Sequence, residues 1–214
     1  MVMPKISPFE KYADQYEEWF EKYPRVYEAE LRAVKAMMPS PGHGVEIGVG
    51  SGRFAGPLGI KIGVEPSEHM AKIAEKRGIQ VLNGVAEDLP LEDASVDFVL
   101  MVTTICFVDD INKALAEAYR VLSYGGCLII GFVDRESRIG QIYLSRQKEN
   151  VFYKDARFFF VDELAGLMTQ AGFVNLTFGQ TLFKPLSEIT SNEPVIPGHG
   201  KGSFVVVSGR KEEA

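Results

Sequence analysis

Apolar and polar positions follow one another along this chain in blocks that predict alternating strands and helices. Residues 95–102 and 127–132 are almost continuously apolar, whereas 67–77 and 111–122 show apolar residues at helical spacing. A continuous apolar run is typical of a strand that helices cover on both faces of its sheet. The pattern therefore predicts a doubly wound α/β fold with a mostly parallel sheet.

The predicted elements occur in a βαβαβ order after a helical amino-terminal segment. Residues 9–38 carry aromatic and apolar residues at helical spacing, and Pro24 divides them into two predicted helices. Strands are predicted at 44–48, 60–65, 79–83, 95–102, 127–132 and 203–209, with another after 173. We expect the strand at 95–102 to lie beside the first one.

Three glycines after the first predicted strand form the strongest candidate for a binding site. Gly48, Gly50 and Gly52 have the spacing G-x-G-x-G, and glycine lets the backbone turn sharply and approach a ligand closely. Glu46 lies inside the strand, where a carboxylate is costly unless it has a partner such as an ammonium group. Glu65 ends the second strand at about the spacing, roughly 20 residues, at which an acid reaches ribose hydroxyls. These features predict a site for a nucleoside ligand.

At these residues the chain resembles the class I S-adenosylmethionine (SAM) dependent methyltransferases, whose first motif reads acid-x-Gly-x-Gly-x-Gly. The segment 110–126, with Glu117, Arg120 and a Gly-Gly turn, resembles the type 11 family in particular. The resemblance implies a Rossmann-like, doubly wound sheet of seven strands, mostly parallel with an antiparallel last strand. It also implies S-adenosyl-L-methionine as the cofactor.

The resemblance further implies roles for individual residues. The Glu65 carboxylate would accept both ribose hydroxyls, and the backbone amide of Ala86 would meet the adenine edge. Val85 stands where the family usually has Asp, which leaves the Ala86 amide and either Glu87 or Asp88 to recognise the ring. The predicted cofactor-binding residues are Tyr16, Glu46, Gly48, Gly50, Gly52, Glu65, Pro66, Ala86, Glu87 and Thr103.

Two segments are predicted beside the site, where they either enclose a small pocket or leave an open cleft that would favour a protein or other large substrate. Residues 1–40 resemble the Tyr-rich segment that folds over SAM in related enzymes, with Tyr16 as the contact, although such aromatic stripes also form ordinary core. Residues 134–160 form a variable insertion, whose basic and aromatic side chains could select an anionic substrate or simply face solvent. Thr103 begins the segment that would face the methyl group. No general base or other catalytic residue is identified.

Composition limits the remaining choices. The chain has 214 residues, 46% of them hydrophobic, which suits one domain over 1–214. A net charge of −6 argues against nucleic-acid binding and favours a small-molecule acceptor. The chain has two cysteines and shows no signal peptide or long apolar run, which predicts a cytoplasmic protein without a membrane span. Its three histidines are scattered along the sequence, so no metal site is predicted.

Two alternatives to methyl transfer remain at this point. A SAM-binding sensor or regulator would keep the cofactor motifs without turnover. An NAD-dependent oxidoreductase is disfavoured, because dinucleotide sites more often have the spacing G-x-G-x-x-G and no Tyr-x-x-x-Lys pair lies near the loop.

Overall fold

A mostly parallel sheet forms the centre of the fold. The computed structural model describes residues 6–39 and 42–213. The strands are β1 (Gly44–Ile47), β2 (Ile62–Val64), β3 (Gln80–Leu82), β4 (Val96–Val102), β5 (Leu122–Val133), β6 (Val174–Thr181), β7 (Ile196–Pro197) and β8 (Phe204–Arg210). The helices are α1 (Ser7–Lys11), α2 (Ala13–Lys22), α3 (Pro24–Met37), α4 (Ala55–Leu58), α5 (Glu68–Lys76), α6 (Ile111–Val121), α7 (Arg138–Ser145) and α8 (Val161–Gln170).

The strand order is β3-β2-β1-β4-β5-β8-β6-β7. Strand β1 runs parallel to both β2 and β4, as expected, and β8 runs antiparallel to β5 and β6. The mostly parallel sheet with an antiparallel last strand is therefore confirmed. The described residues form eight strands rather than seven, because Ile196–Pro197 pairs with the outer edge of β6. Two residues are too few to produce a period-2 pattern in the sequence.

Helices cover both faces of the sheet, and alternate strand residues face each side. In β4, Val99 and Met101 pack with helices α6 and α8, whereas Phe98 and Leu100 pack with α3. Strands β5 and β8 divide their side chains between the same two clusters. The apolar runs of the sequence thus reflect burial on both sides.

The amino-terminal segment contains three helices where the sequence predicted two. The predicted division occurs at Tyr23, which has an extended φ of −122° before Pro24 starts α3. A second break occurs at Tyr12, with φ −126° and ψ 30°, and no proline or glycine marks it. Residues 1–5 and 40 of the predicted lid lie outside the described residues.

The segment 134–160 follows β5 and contains α7. Ser137 caps α7 by accepting a hydrogen bond from the Gly140 amide. Further along, the Asn150 side chain accepts hydrogen bonds from the amides of Phe152 and Tyr153, which fixes the turn that presents their rings. Within 6–39 and 42–213, no helix is long and apolar enough to cross a membrane.

Candidate functional site

A cleft of about 1100 Å³ lies at the carboxyl ends of the central strands. This is where open α/β sheets bind ligands, since the loops that follow adjacent strands diverge there. Eight of the predicted residues line the cleft: Tyr16, Gly48, Gly50, Glu65, Pro66, Ala86, Glu87 and Thr103. The other two, Glu46 and Gly52, do not line it: Glu46 precedes the lining residue Ile47, and Gly52 lies two residues after Gly50.

The three glycines of the loop have different structural roles. All have positive φ, at +65° for Gly48, +53° for Gly50 and +81° for Gly52. A Cβ atom on Gly48 would lie 2.4 Å from the Thr104 side chain, and one on Gly52 would lie 2.4 Å from the Ile79 side chain. A Cβ atom on Gly50 would meet nothing closer than 3.6 Å. A side chain at Gly48 or Gly52 would thus displace a neighbouring side chain, whereas a Cβ atom on Gly50 would make only ordinary van der Waals contacts with Met70 and Tyr16.

Glu65 links the glycine loop to the start of α5. Its Oε2 accepts a hydrogen bond from the Gly50 amide and its Oε1 accepts one from the Ser67 amide, both at 2.9 Å. The residue is only 7% exposed, and burial raises the pKa of this carboxyl, while the two amides act in the opposite direction. Each oxygen has a further lone pair, so the carboxylate can still accept two hydroxyl groups.

Glu46 is a buried acid with an unsatisfied oxygen. The residue is 2% exposed, and its Oε2 has no hydrogen-bond partner among the described residues. Burial raises the pKa of Glu46 well above its ordinary value, a backbone hydrogen bond at Ala55 lowers it, and the Glu65 charge raises it further. A buried carboxylate oxygen without a donor favours binding of a positively charged group.

The loop at 85–90 borders the same cleft. Ala86 is buried in its wall, as the predicted adenine contact requires. The carboxylate of Glu87 accepts hydrogen bonds from the amides of Asp109 (2.6 Å) and Asp110 (3.2 Å), so one of its oxygens holds the loop before α6. Asp110 caps α6 by accepting hydrogen bonds from the Asn112 and Lys113 amides.

Glu117 and Arg120 of α6, from the segment that resembles the type 11 family, form hydrogen bonds to the backbone of this loop. Glu117 accepts a hydrogen bond from the Leu89 amide at 2.8 Å and pairs with Arg120. The Arg120 guanidinium donates to the carbonyl oxygens of Leu89 and Leu91. These two charged residues therefore fix the backbone of the loop and do not line the cleft.

Thr103 ends β4 with a strained backbone. Its φ is +52°, in the left-handed region that β-branched residues rarely adopt, and its amide donates to the Gly131 carbonyl on β5. Strain of this kind costs on the order of 1–3 kcal/mol and is concentrated at functional sites. It aims the segment 103–107 into the cleft.

Polar contacts hold the amino-terminal helices over the glycine loop. Glu10 of α1 accepts hydrogen bonds from the Ser67 hydroxyl (2.6 Å) and the His69 amide (3.3 Å), at the start of α5. Glu17 of α2 pairs with both Arg53 and Arg77 at 2.5 Å. The Tyr16 hydroxyl lies 3.8 Å from the ideal Cβ position of Gly50, so α2 reaches the open side of the loop.

Aromatic side chains join the amino-terminal helices to the 134–160 segment. The Phe152 ring lies 5.6 Å from Phe9 and 6.1 Å from Tyr16, measured between ring centroids. Phe107 contacts Phe9 at 5.1 Å and stacks on Tyr153 at 6.1 Å. We name these five residues the aromatic wall. All five residues line the cleft.

Among the acids that line the cleft and were not predicted from the sequence, Glu30 of α3 is buried. It lines the cleft, is 6% exposed, and has no hydrogen bond or ion pair with any described residue. Burial alone raises the pKa of Glu30 to about 8. A signal was present in the sequence, because Glu30 lies on the apolar stripe formed by Val26, Ala29 and Ala33, where a charged residue is unexpected.

No group of three or more His, Cys, Asp or Glu side chains within 6–39 and 42–213 could hold a metal ion. The cleft instead offers backbone amides, carboxylates and aromatic rings. This combination suits an organic ligand with hydroxyl groups and a positive charge.

Comparison with known proteins supports a methyltransferase fold. The type 11 family model, described as a methyltransferase domain, matches residues 45–130. An uncharacterised protein of Methanocaldococcus jannaschii is 44% identical over 206 residues, which cover 96% of this chain and 100% of that protein. The chain belongs to the class I SAM-dependent methyltransferases.

Solved structures support the same assignment. A Thermotoga maritima structure described as a "SAM-dependent methyltransferase, possible histamine N-methyltransferase" is 57% identical, with a TM-score of 0.94 over 96% of this chain and 98% of that one. A SAM-dependent methyltransferase from Archaeoglobus fulgidus shares the fold at 17% identity, with a TM-score of 0.70 over 92% of this chain and 99% of that one.

Proposed function

We propose that this protein transfers the methyl group of SAM to a small-molecule acceptor bound beneath the aromatic wall. The observation that carries the proposal is the pair of buried acids beside the glycine loop. Glu65 keeps free lone pairs towards the cleft, and Glu46 has a buried oxygen without a donor. SAM supplies both complementary groups, a ribose with two hydroxyls and an amino acid end with an ammonium.

The other predicted contacts fit the same ligand. At Gly50 the backbone can approach the ligand closely. The Ala86 amide would contact the edge of the adenine ring, because Val85 has no carboxylate to do so. Tyr16 would cover the ligand from the side of α2. SAM carries a methyl group on a sulfonium, so the acceptor's lone pair forms the new bond to carbon while the old bond's electrons return to sulfur. The protein's own tasks are to align the acceptor and exclude water.

Enclosure of the cleft favours a small acceptor over a protein. Rings from α1, from the loop after β4 and from the 134–160 segment contact one another across the cleft. A folded protein substrate would need these contacts to open, whereas a small molecule fits the remaining volume. The 1–40 lid and the 134–160 insertion would then act together, as two sides of one acceptor chamber in the domain 1–214.

Calorimetry and radiolabelled transfer test the proposal in two stages. We expect SAM and its demethylated product S-adenosylhomocysteine (SAH) to bind at one site each, and NAD not to bind. Transfer of labelled methyl to a panel of amines, including the histamine named for the Thermotoga structure, and of alcohols, thiols and acids should then identify the acceptor class. Lack of SAM and SAH binding would refute the cofactor assignment. Binding without transfer to any acceptor would support the sensor alternative.

A further inference from the structure

One end of the cleft lies away from the cofactor motifs. Glu65 follows β2, whereas Val133 ends β5, and β1 and β4 separate these two strands in the sheet. Glu30, Tyr143 and Leu186 line the cleft together with Val133. We name these four residues the distal end. If SAM occupies the side of β1 and β2, the distal end is the part of the cleft that remains for the acceptor.

Glu30 is the ionisable side chain of the distal end that lacks a partner. No described residue donates a hydrogen bond to its carboxylate or pairs with it. Burial raises the pKa of Tyr143, and the Glu30 charge raises it further, so the two groups lie within electrostatic reach of each other. The neutral phenol of Tyr143 cannot balance the charge of a carboxylate. Within the described residues, no positively charged group therefore compensates Glu30 when it is ionised.

The charges that line the cleft disfavour an anionic methyl acceptor. The acidic residues that line the cleft outnumber the basic ones: Glu18, Glu30, Glu65, Glu87, Asp88, Asp109, Asp110 and Glu149 against Lys22 and Lys113. The basic residues of the 134–160 segment do not line it. Arg157 pairs with Glu163 on α8, and Arg135 stacks on Phe160. The cleft therefore attracts cations.

We propose that Glu30 binds a protonated nitrogen of the methyl acceptor, so that the acceptor is a small amine with an apolar body. An ammonium has no lone pair, so methylation of this nitrogen requires that its proton leave first, and the Glu30 carboxylate beside it is the group that accepts this proton. This inference rests on the proposed function and names its substrate class. The carboxylate pairs with the ammonium, and the rings of Tyr143 and Tyr153, which stack at 5.1 Å, contact the apolar part. A cation entering the distal end compensates the burial of Glu30, because an opposite charge favours the ionised carboxylate.

Calorimetry on the SAH-saturated protein tests this pairing. The probes are n-butylamine, benzylamine, phenethylamine and tryptamine, each compared with the alcohol and the carboxylic acid of the same carbon skeleton. We expect at least one amine to bind about tenfold or more tightly than its alcohol, and every acid to bind more weakly than its alcohol. Glu30→Gln should abolish the preference for the amine and leave the SAH affinity within about twofold.

Glu28→Gln is the matched control on the same helix. Glu28 is exposed and pairs with Arg25 one turn away, so its variant should keep the full preference for amines. Equal binding of all amines and alcohols by the natural chain would overturn the inference, and so would a preference that survives Glu30→Gln. Failure of the natural chain to bind SAH would instead refute the proposed function. The two failures are thus distinguishable.

Discussion

Three buried carboxylates define the chemistry of the cleft at the scale of single residues. Glu46 and Glu65 were predicted from their positions beside the glycine loop, and the structure places Glu65 in the cleft wall and Glu46 immediately behind it. Glu30 was not predicted, since an acid in a helix usually faces solvent. Its burial depends on β5 and the 134–160 segment, which are distant in the sequence.

Replacing Glu65 with Ala should weaken SAH binding by tenfold or more. Hydrogen bonds to charged groups contribute about 1.5–3 kcal/mol each, and two ribose hydroxyls would lose their acceptor. The Gly50 and Ser67 amides would also lose theirs, so the melting temperature must be measured alongside affinity. Glu68→Ala is the control, because Glu68 is an exposed acid of α5 nearby in the chain. Equal SAH affinity of the two variants would contradict the ribose assignment.

Glu30 should make the folded protein less stable as pH rises. Its folded pKa of about 8 lies above the unfolded value of about 4.5, so the folded state retains a proton that the unfolded state has released. The unfolding free energy therefore falls between about pH 4.5 and 8, by up to on the order of 4 kcal/mol. Burial raises the pKa of Glu46 and Glu65 too, so both add a slope of the same sign.

Urea unfolding of the ligand-free protein at several pH values isolates the Glu30 contribution. Glu30→Gln should show a smaller loss of stability across this range, while Glu28→Gln should match the natural chain. An identical slope in all three proteins would show that Glu30 titrates normally in the folded state.

At the scale of elements, the glycine loop combines a packing function with a binding function. The G-x-G-x-G pattern predicted a tight loop, and all three glycines do have positive φ. Which glycine has room for a side chain could not be predicted, because it depends on side chains from α5, the following loop and the segment after β4. The break at Tyr12 likewise has no local signal. It lies where the lid must pass between the start of α5 and the aromatic wall.

Three glycine-to-alanine variants should separate these functions. Gly59 has a φ of +77°, and a Cβ atom there would meet no other atom within 4 Å. Gly59→Ala should therefore lower the free energy of unfolding only by the conformational strain of about 1–2 kcal/mol. Gly52→Ala should cost more, because its Cβ also meets Ile79 at 2.4 Å. Gly50→Ala should match Gly59→Ala in stability but lose SAH affinity. Thermal unfolding and calorimetry measure both effects, and unimpaired SAH binding by Gly50→Ala would remove it from the cofactor site.

The whole molecule brings together segments that are far apart in the chain. Residues before the first strand, after β4 and after β5 meet in the aromatic wall. Glu10 and Glu17 attach the amino-terminal helices to Ser67 and Arg53. These helices and the aromatic wall lie beside a cleft at the carboxyl ends of the strands. Ligand binding should therefore stabilise the fold as a unit.

SAH should raise the melting temperature of the natural chain. A ligand at 100 times its dissociation constant stabilises the folded state by about 2.7 kcal/mol, which corresponds to roughly 5–10 °C for a domain of this size. Differential scanning fluorimetry measures the shift, with adenosine as a weaker partial ligand for comparison. A Glu65→Ala protein that shows the full shift at the same SAH concentration would argue against binding in this cleft.

The sequence by itself determined the class of fold and the family, because apolar periodicity and the glycine loop are local and depend on backbone geometry. It also predicted ten cofactor-binding residues, eight of which line the cleft in the structure. Only the tertiary structure decided which glycine is open, how Glu87 is held, and that Glu30 is buried beside the cleft. These properties depend on contacts between distant segments, and the burial of a charge has no fixed spacing in the chain.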